Sequence, residues 1–159
     1  MAVLAVQRVV VGPACVDALV CVPEHEPLRT SIVPDIVQRA VDILPGLTRH
    51  SCDNGTAHGI LGELADTETP HLLEHVAFEL MALSGSPRTL AGETTWDFAK
   101  EGPGVFHVRL AYDDDLVALG ALREGVHVVR WLMGDLPQID PPDIAAVVAR
   151  LRALRKRPA

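Results

Sequence analysis

Long apolar runs are missing from this sequence. None approaches the roughly 20 residues a membrane helix needs, and the stretch from Ala14 to Val22 is broken at Asp17. The N-terminus, running from Met1 to Arg8, has no basic leader ahead of its apolar residues, so it does not read as a secretory signal. Cysteine is sparse: Cys15, Cys21 and Cys52 are an odd set without a C-x-x-C pair, implying neither a disulfide framework nor a ribbon-type zinc site. Cys15 and Cys21 fall in a strand-like stretch and read as small buried hydrophobes. Bases are scarce until the very end, with nine Lys and Arg set against 21 Asp and Glu before Arg150. A body that acidic repels phosphate backbones, which argues against a nucleic-acid partner and slightly favours cationic ligands. There is no glycine-rich phosphate loop, no G-x-S-x-G elbow and no short repeat. The expectation is a soluble cytoplasmic protein with neither a membrane nor a nucleic-acid partner; a homo-oligomer is left open.

What is present is a globular balance: 159 residues, 48% apolar and 22% charged, enough for one domain over residues 1–159 with a real core. Val3–Val11 and Ala14–Val22, rich in β-branched residues and separated by Gly12-Pro13, predict two consecutive strands. Helical spacing of Ile32, Ile36, Val37, Ala40, Val41 and Leu44 predicts a helix over Ser31–Leu44, closed by Pro45-Gly46. His50 to Gly62 reads as a loop or broken helix. Thr69 as N-cap, Pro70 in the first turn and Gly85 past the end bracket a sharply defined helix. Arg88–Phe98 and Gly104–Tyr112 predict two more strands, with Trp96, Phe98 and Phe106 as packing groups. A helix capped by Asp115 runs to about Met133, and Pro141-Pro142 opens a last one, Ile144–Lys156. The basic end at 150–157 reads as cations complementing the dipole at a helix C-terminus. Paired strands separated by helices predict an α+β fold, an antiparallel or mixed sheet with helices packed on one face.

The chemistry concentrates on the helix after Thr69. With His71 at 0° on a wheel of about 100° per residue, Glu74, His75 and Glu79 fall within about 80° of it, opposite an apolar arc of Leu72, Leu73, Val76, Ala77, Leu80 and Leu83. The i, i+4 spacing stacks the two imidazoles one turn apart, where both reach one tetrahedral metal. Glu74 projects beside them, placed as a base for water activated by that metal. His71-Leu72-Leu73-Glu74-His75 is the inverted zinc-peptidase pattern H-x-x-E-H. The same pattern also suits a solvated helix face carrying Glu–His pairs, each worth a few tenths of a kcal/mol. A catalytic zinc needs a third ligand. Glu79 is the nearest candidate, or else accepts from an imidazole N–H; Glu93, His50 and Cys52 are the alternatives. His25, His58, His107 and His127 read as surface or core residues.

The stretch His71–Leu80 resembles the N-terminal domain of cyanophycin synthetases. Gly12-Pro13, Leu44-Pro45, His50-x-Cys52, Gly55, Glu93-Thr94 and Gly104-Val105-Phe106-x-Val108 match in order, together spanning most of the chain to about Met133. The sequence departs from the family at His58-Gly59, where a glycine pair is expected, and at Thr89–Gly92, where an arginine-containing run is expected. In that family the domain precedes an ATP-grasp ligase and a Mur-ligase-like module, which build a polymer of aspartate bearing arginine. Neither module lies within these 159 residues, so polymer synthesis is not expected of them. The resemblance implies one of two roles, holding the polymer or clipping it at a metallohydrolase site. For the second it implies His71 and His75 as ligands and Glu74 as base, with Glu79 also matching the motif. H-x-x-E-H is also similar to the fold shared by processing-type peptidases and S-ribosylhomocysteine lyase, which makes the expected fold metallopeptidase-like. The expected function is that of a zinc-dependent hydrolase cleaving amide bonds in a peptide-like, arginine-bearing substrate. The alternative is a non-catalytic module that binds polymer or a partner.

Overall fold

The computed structural model describes residues 2–52 and 59–155. Strands β1 (Ala5–Val11) and β2 (Cys15–Cys21) are followed by helices α1 (Ile36–Ile43), α2 (Gly59–Ala65) and α3 (Thr69–Leu83). Strand β3 (Gly92–Thr95), the single turn α4 (Phe98–Glu101), strand β4 (Val105–Ala111), α5 (Asp115–Leu132) and α6 (Ile144–Leu154) complete the order. The four strands form one sheet in the order β1-β2-β4-β3, every neighbouring pair antiparallel. The chain is therefore α+β, as expected.

Strand alternation decides which side of the sheet is wet. Val16, Ala18 and Val20 of β2 sit opposite Leu110, Val108 and Phe106 of β4, and all six are buried under the helices. The intervening residues face outward. Cys15 and Cys21 belong to this second set and are only half-buried, so they are not the core residues the sequence suggested. Asp17 shares their face, where it meets His107 and Arg109 of β4.

Helix α3 is the centre of the core and packs along α5 and across β3 and β4. Several element boundaries differ from expectation for local reasons. Pro34 splits the first predicted helix into a 3-10 turn, Thr30–Ile32, and α1. Thr69 lies inside α3, its hydroxyl donating to Pro27 and Leu28 carbonyls rather than capping, and Glu68 takes the N-cap position. Asp114, not Asp115, caps α5 by accepting from Leu116 and Val117 N–H groups. The predicted strand Arg88–Phe98 shrinks to β3, with Phe98 starting α4. Among the described residues, no helix is long and apolar enough to cross a membrane.

Candidate metal centre

The i, i+4 spacing in α3 brings His71 and His75 together as the pattern requires, with their Nε2 atoms 3.2 Å apart. The extended chain after the 3-10 turn Pro45–Arg49 then lays Cys52 against them. Cys52 Sγ is 3.3 Å from His71 Nε2, and the ligand atoms of Cys52, His71 and His75 lie within 4.8 Å of one another.

Zinc fits this donor set. Two imidazoles and a thiol are its preferred ligands, and bonds of about 2.0–2.3 Å in tetrahedral geometry separate neighbouring ligand atoms by roughly 3.3–3.6 Å, close to the contacts found. Three protein ligands match the catalytic type of site, which keeps a position open.

The polar face of α3 is not solvated. Glu74, His75 and Glu79 are 6%, 4% and 0% exposed, which excludes the solvated-face reading of the helix. The sheet edge at β3 and the segment from Pro45 to Cys52 cover that face. Each buried group has a partner. Thr67 Oγ1 lies 2.8 Å from His71 Nδ1, with Glu63 Oε1 3.7 Å from the same nitrogen. On the other ring, His75 Nδ1 lies 3.0 Å from His50 Nδ1, and His50 Nε2 lies 2.8 Å from Glu79 Oε2. Arg88 closes the series with a two-pronged pair, donating to Glu79 Oε2 at 2.8 Å and Oε1 at 3.0 Å.

These surroundings set the charges. Burial, then the neighbouring His71 and His50 rings, push His75 down to about 3, so it is neutral at pH 7 and able to donate its lone pair. Burial alone would raise Glu79, but hydrogen bonds from His50 and Arg88 outweigh it and hold the carboxyl down to about 2. Glu74 goes the other way. Burial raises it, opposed by the hydroxyl of Thr94, which donates to its Oε2 at 2.5 Å. A carboxyl kept above its usual range is suited to exchanging protons.

The structure thus brings His71, His75 and Cys52 into one cluster, with Glu74 lining the same cleft of about 790 Å³. It does not bring Glu79 into that cluster; both its oxygens are taken by Arg88 and one also by His50. Glu93 is exposed on β3 at the cleft, and His50 stands behind His75. His58, which the sequence reads as a surface or core residue, lies outside the described residues. Arg88, Thr67 and Glu63 carried no motif signal. Cys52 did carry one: residues i and i+2 of an extended segment point the same way, so His50-x-Cys52 aims both side chains at one target.

The residues 19–134 match the family model described as the cyanophycin synthase-like N-terminal domain. Relatives include the cyanophycin synthetase of Crocosphaera subtropica, 31% identical over 106 residues, covering 64% of this chain and 11% of that protein. The cyanophycin synthetase of Synechocystis sp. is 30% identical over 106 residues with the same coverage, and that of Geminocystis herdmanii is 31% identical over 88 residues, 52% of this chain and 9% of that one. The chain spans about a tenth of the length of the curated relatives it matches.

Proposed function

Since the chain belongs to the cyanophycin synthase-like N-terminal domain family, we propose that it is a zinc-dependent hydrolase of metallopeptidase type, cleaving amide bonds in a peptide-like, arginine-bearing substrate of the cyanophycin kind. The observation that carries this reading is the convergence of Cys52, His71 and His75 beside the buried carboxyl of Glu74. Cys52, His71 and His75 would hold the ion, and Glu79 stands outside the coordination sphere. Bound zinc supplies Lewis acidity, polarising a carbonyl and lowering the pKa of water. Glu74 takes the proton from the attacking water and delivers it to the leaving amine. Thr94 and β3 hold Glu74 in place for both transfers.

Two features support the substrate class. Ala111 donates its N–H to the Ala91 carbonyl, so by antiparallel alternation Gly92 and Thr94 turn their own backbone N–H and C=O groups to the outer edge of the sheet, which no strand covers among the described residues. An extended main chain can pair there beside Glu74. The cleft also carries the acids Glu63, Glu74 and Glu93, with a Glu68 paired to Arg29, against Arg49 and an Arg88 already committed to Glu79, a balance that favours a cationic substrate.

Protein purified without chelator is expected to hold stoichiometric zinc by elemental analysis, and Cys52→Ala is expected to lose it. Glu74→Gln should keep the metal while its turnover of cyanophycin falls about 10²–10⁴-fold. A Glu74→Gln variant as active as the parent ends the hydrolase reading. The relatives' name favours a second reading, a non-catalytic module that binds polymer or a partner in synthesis. It is distinguished by cyanophycin binding without turnover in the parent protein.

A further inference from the structure

We propose that Arg88, Glu79 and His50 form a relay that locks His75 in the tautomer with its proton on Nδ1, so that its Nε2 lone pair faces His71 and Cys52. Glu79 sets the direction. It is fully buried and accepts from Arg88 through both oxygens. An ionised carboxylate only accepts, so the His50 Nε2 at 2.8 Å must carry a proton. The relay takes His50 with that one ring proton, so its Nδ1 is bare, and the complement for it at 3.0 Å is a proton on His75 Nδ1. That leaves His75 Nε2 bare, on the side where His71 Nε2 stands 3.2 Å away.

The other ring is held differently. Its Nδ1 meets Thr67 Oγ1, and a hydroxyl donates or accepts by turning, so nothing at Nδ1 fixes the tautomer of His71. One imidazole of the pair is fixed and the other adjusts. Arg88, Glu79 and His50 are therefore positioning residues that act through His75. The lock belongs to the chain alone; its use in orienting a zinc ligand rests on the reading proposed above.

The test uses the full ¹⁵N-labelled chain, stripped with chelator and held at neutral pH, with long-range ¹H–¹⁵N correlation reporting which ring nitrogen bears the proton. His75 is expected to be protonated at Nδ1 alone and His50 at Nε2 alone. Glu79→Gln, which can donate as well as accept, is expected to mix the tautomers of both rings and to weaken binding of zinc alone about 10–100-fold. A His75 protonated at Nε2, an imidazolium at His50, or a folded Glu79→Gln variant with parental tautomers and zinc affinity overturns the relay. The parent spectrum decides the matter even if that variant does not fold. The expected tautomers in a chain that binds no zinc uphold the relay and end the zinc reading. Tight zinc binding with His75 protonated at Nε2 does the reverse.

Discussion

Glu74 and Glu79 lie on one face of one helix and meet opposite fates. Glu79 receives a guanidinium and an imidazole, so its charge is welcome despite complete burial; Glu74 receives one hydroxyl and is raised. Each carboxylate also rests against a glycine. A Cβ at Gly46 would collide with the Glu79 carboxylate, and one at Gly92 with the Phe78 ring, Glu74 Oε1 at 2.9 Å and the Arg109 carbonyl at 3.0 Å. Gly92→Ala should therefore displace Glu74 as well as strain β3. We expect a loss of about 1–3 kcal/mol in chemical denaturation, together with a fall in kcat beyond what the folded fraction explains. Full activity in the folded fraction would count against the proposed role of Glu74.

At the scale of elements, the end of the last helix serves the one that carries His71 and His75. Arg152 donates to the Leu83 carbonyl at 2.9 Å and Arg155 to the Ser84 carbonyl at 3.2 Å, closing the C-terminal end of α3, while Arg155 also reaches Asp113 at 2.6 Å. The sequence suggests a basic end at 150–157 that complements a helix dipole; Arg152 and Arg155 meet the last carbonyls of α3, and Lys156 and Arg157 lie outside the described residues. Arg155→Ala is expected to lower stability by about 1–2 kcal/mol and to speed amide exchange in the last turn of α3, read by hydrogen exchange. The spacing within α3 was legible because helical periodicity is local: it aligns His71, Glu74 and His75 without knowing the rest of the chain. The covering of that face was not legible. It depends on β3 and on the segment reaching Cys52, which approach from distant positions in sequence. Thr69 shows the same limit on a smaller scale, a capping residue by type whose hydroxyl is drawn instead to Pro27 and Leu28.

Across the whole molecule, the sheet separates two kinds of electrostatics. Beneath it lies the Arg88–Glu79–His50 series around the buried Glu79; on its outer side His107 sits between Glu101 Oε1 at 2.8 Å and Asp17 Oδ1 at 2.9 Å. The Glu79 carboxyl is depressed from an ordinary 4.5 to about 2, so its stabilisation is complete above 4.5 and is lost as pH falls toward 2. We expect Glu79→Gln to remove on the order of 2 kcal/mol at pH 7, after allowing for solvent screening at the exposed Arg88, and much less at pH 2.5. His107 has the opposite sign. Hydrogen bonds that its ring donates to Glu101 and Asp17 raise it above 6.5, so its contribution is full below 6.5 and fades as pH climbs through the raised value. His107→Gln should cost about 0.5 kcal/mol at pH 6 and less at pH 9, measured by denaturant midpoints. The fold class was readable from the paired strand signals. The division of charge between the faces was not, because Asp17 and His107 are 90 residues apart and meet through the register of β2 with β4.

The clasp of Arg152 and Arg155 on the end of α3 joins the close of the last helix to the one bearing His71 and His75. Tension applied to the polypeptide past α6 would travel through two guanidinium groups into the rod that bears both imidazoles. Whatever tugs on that tail would be felt where the rings meet.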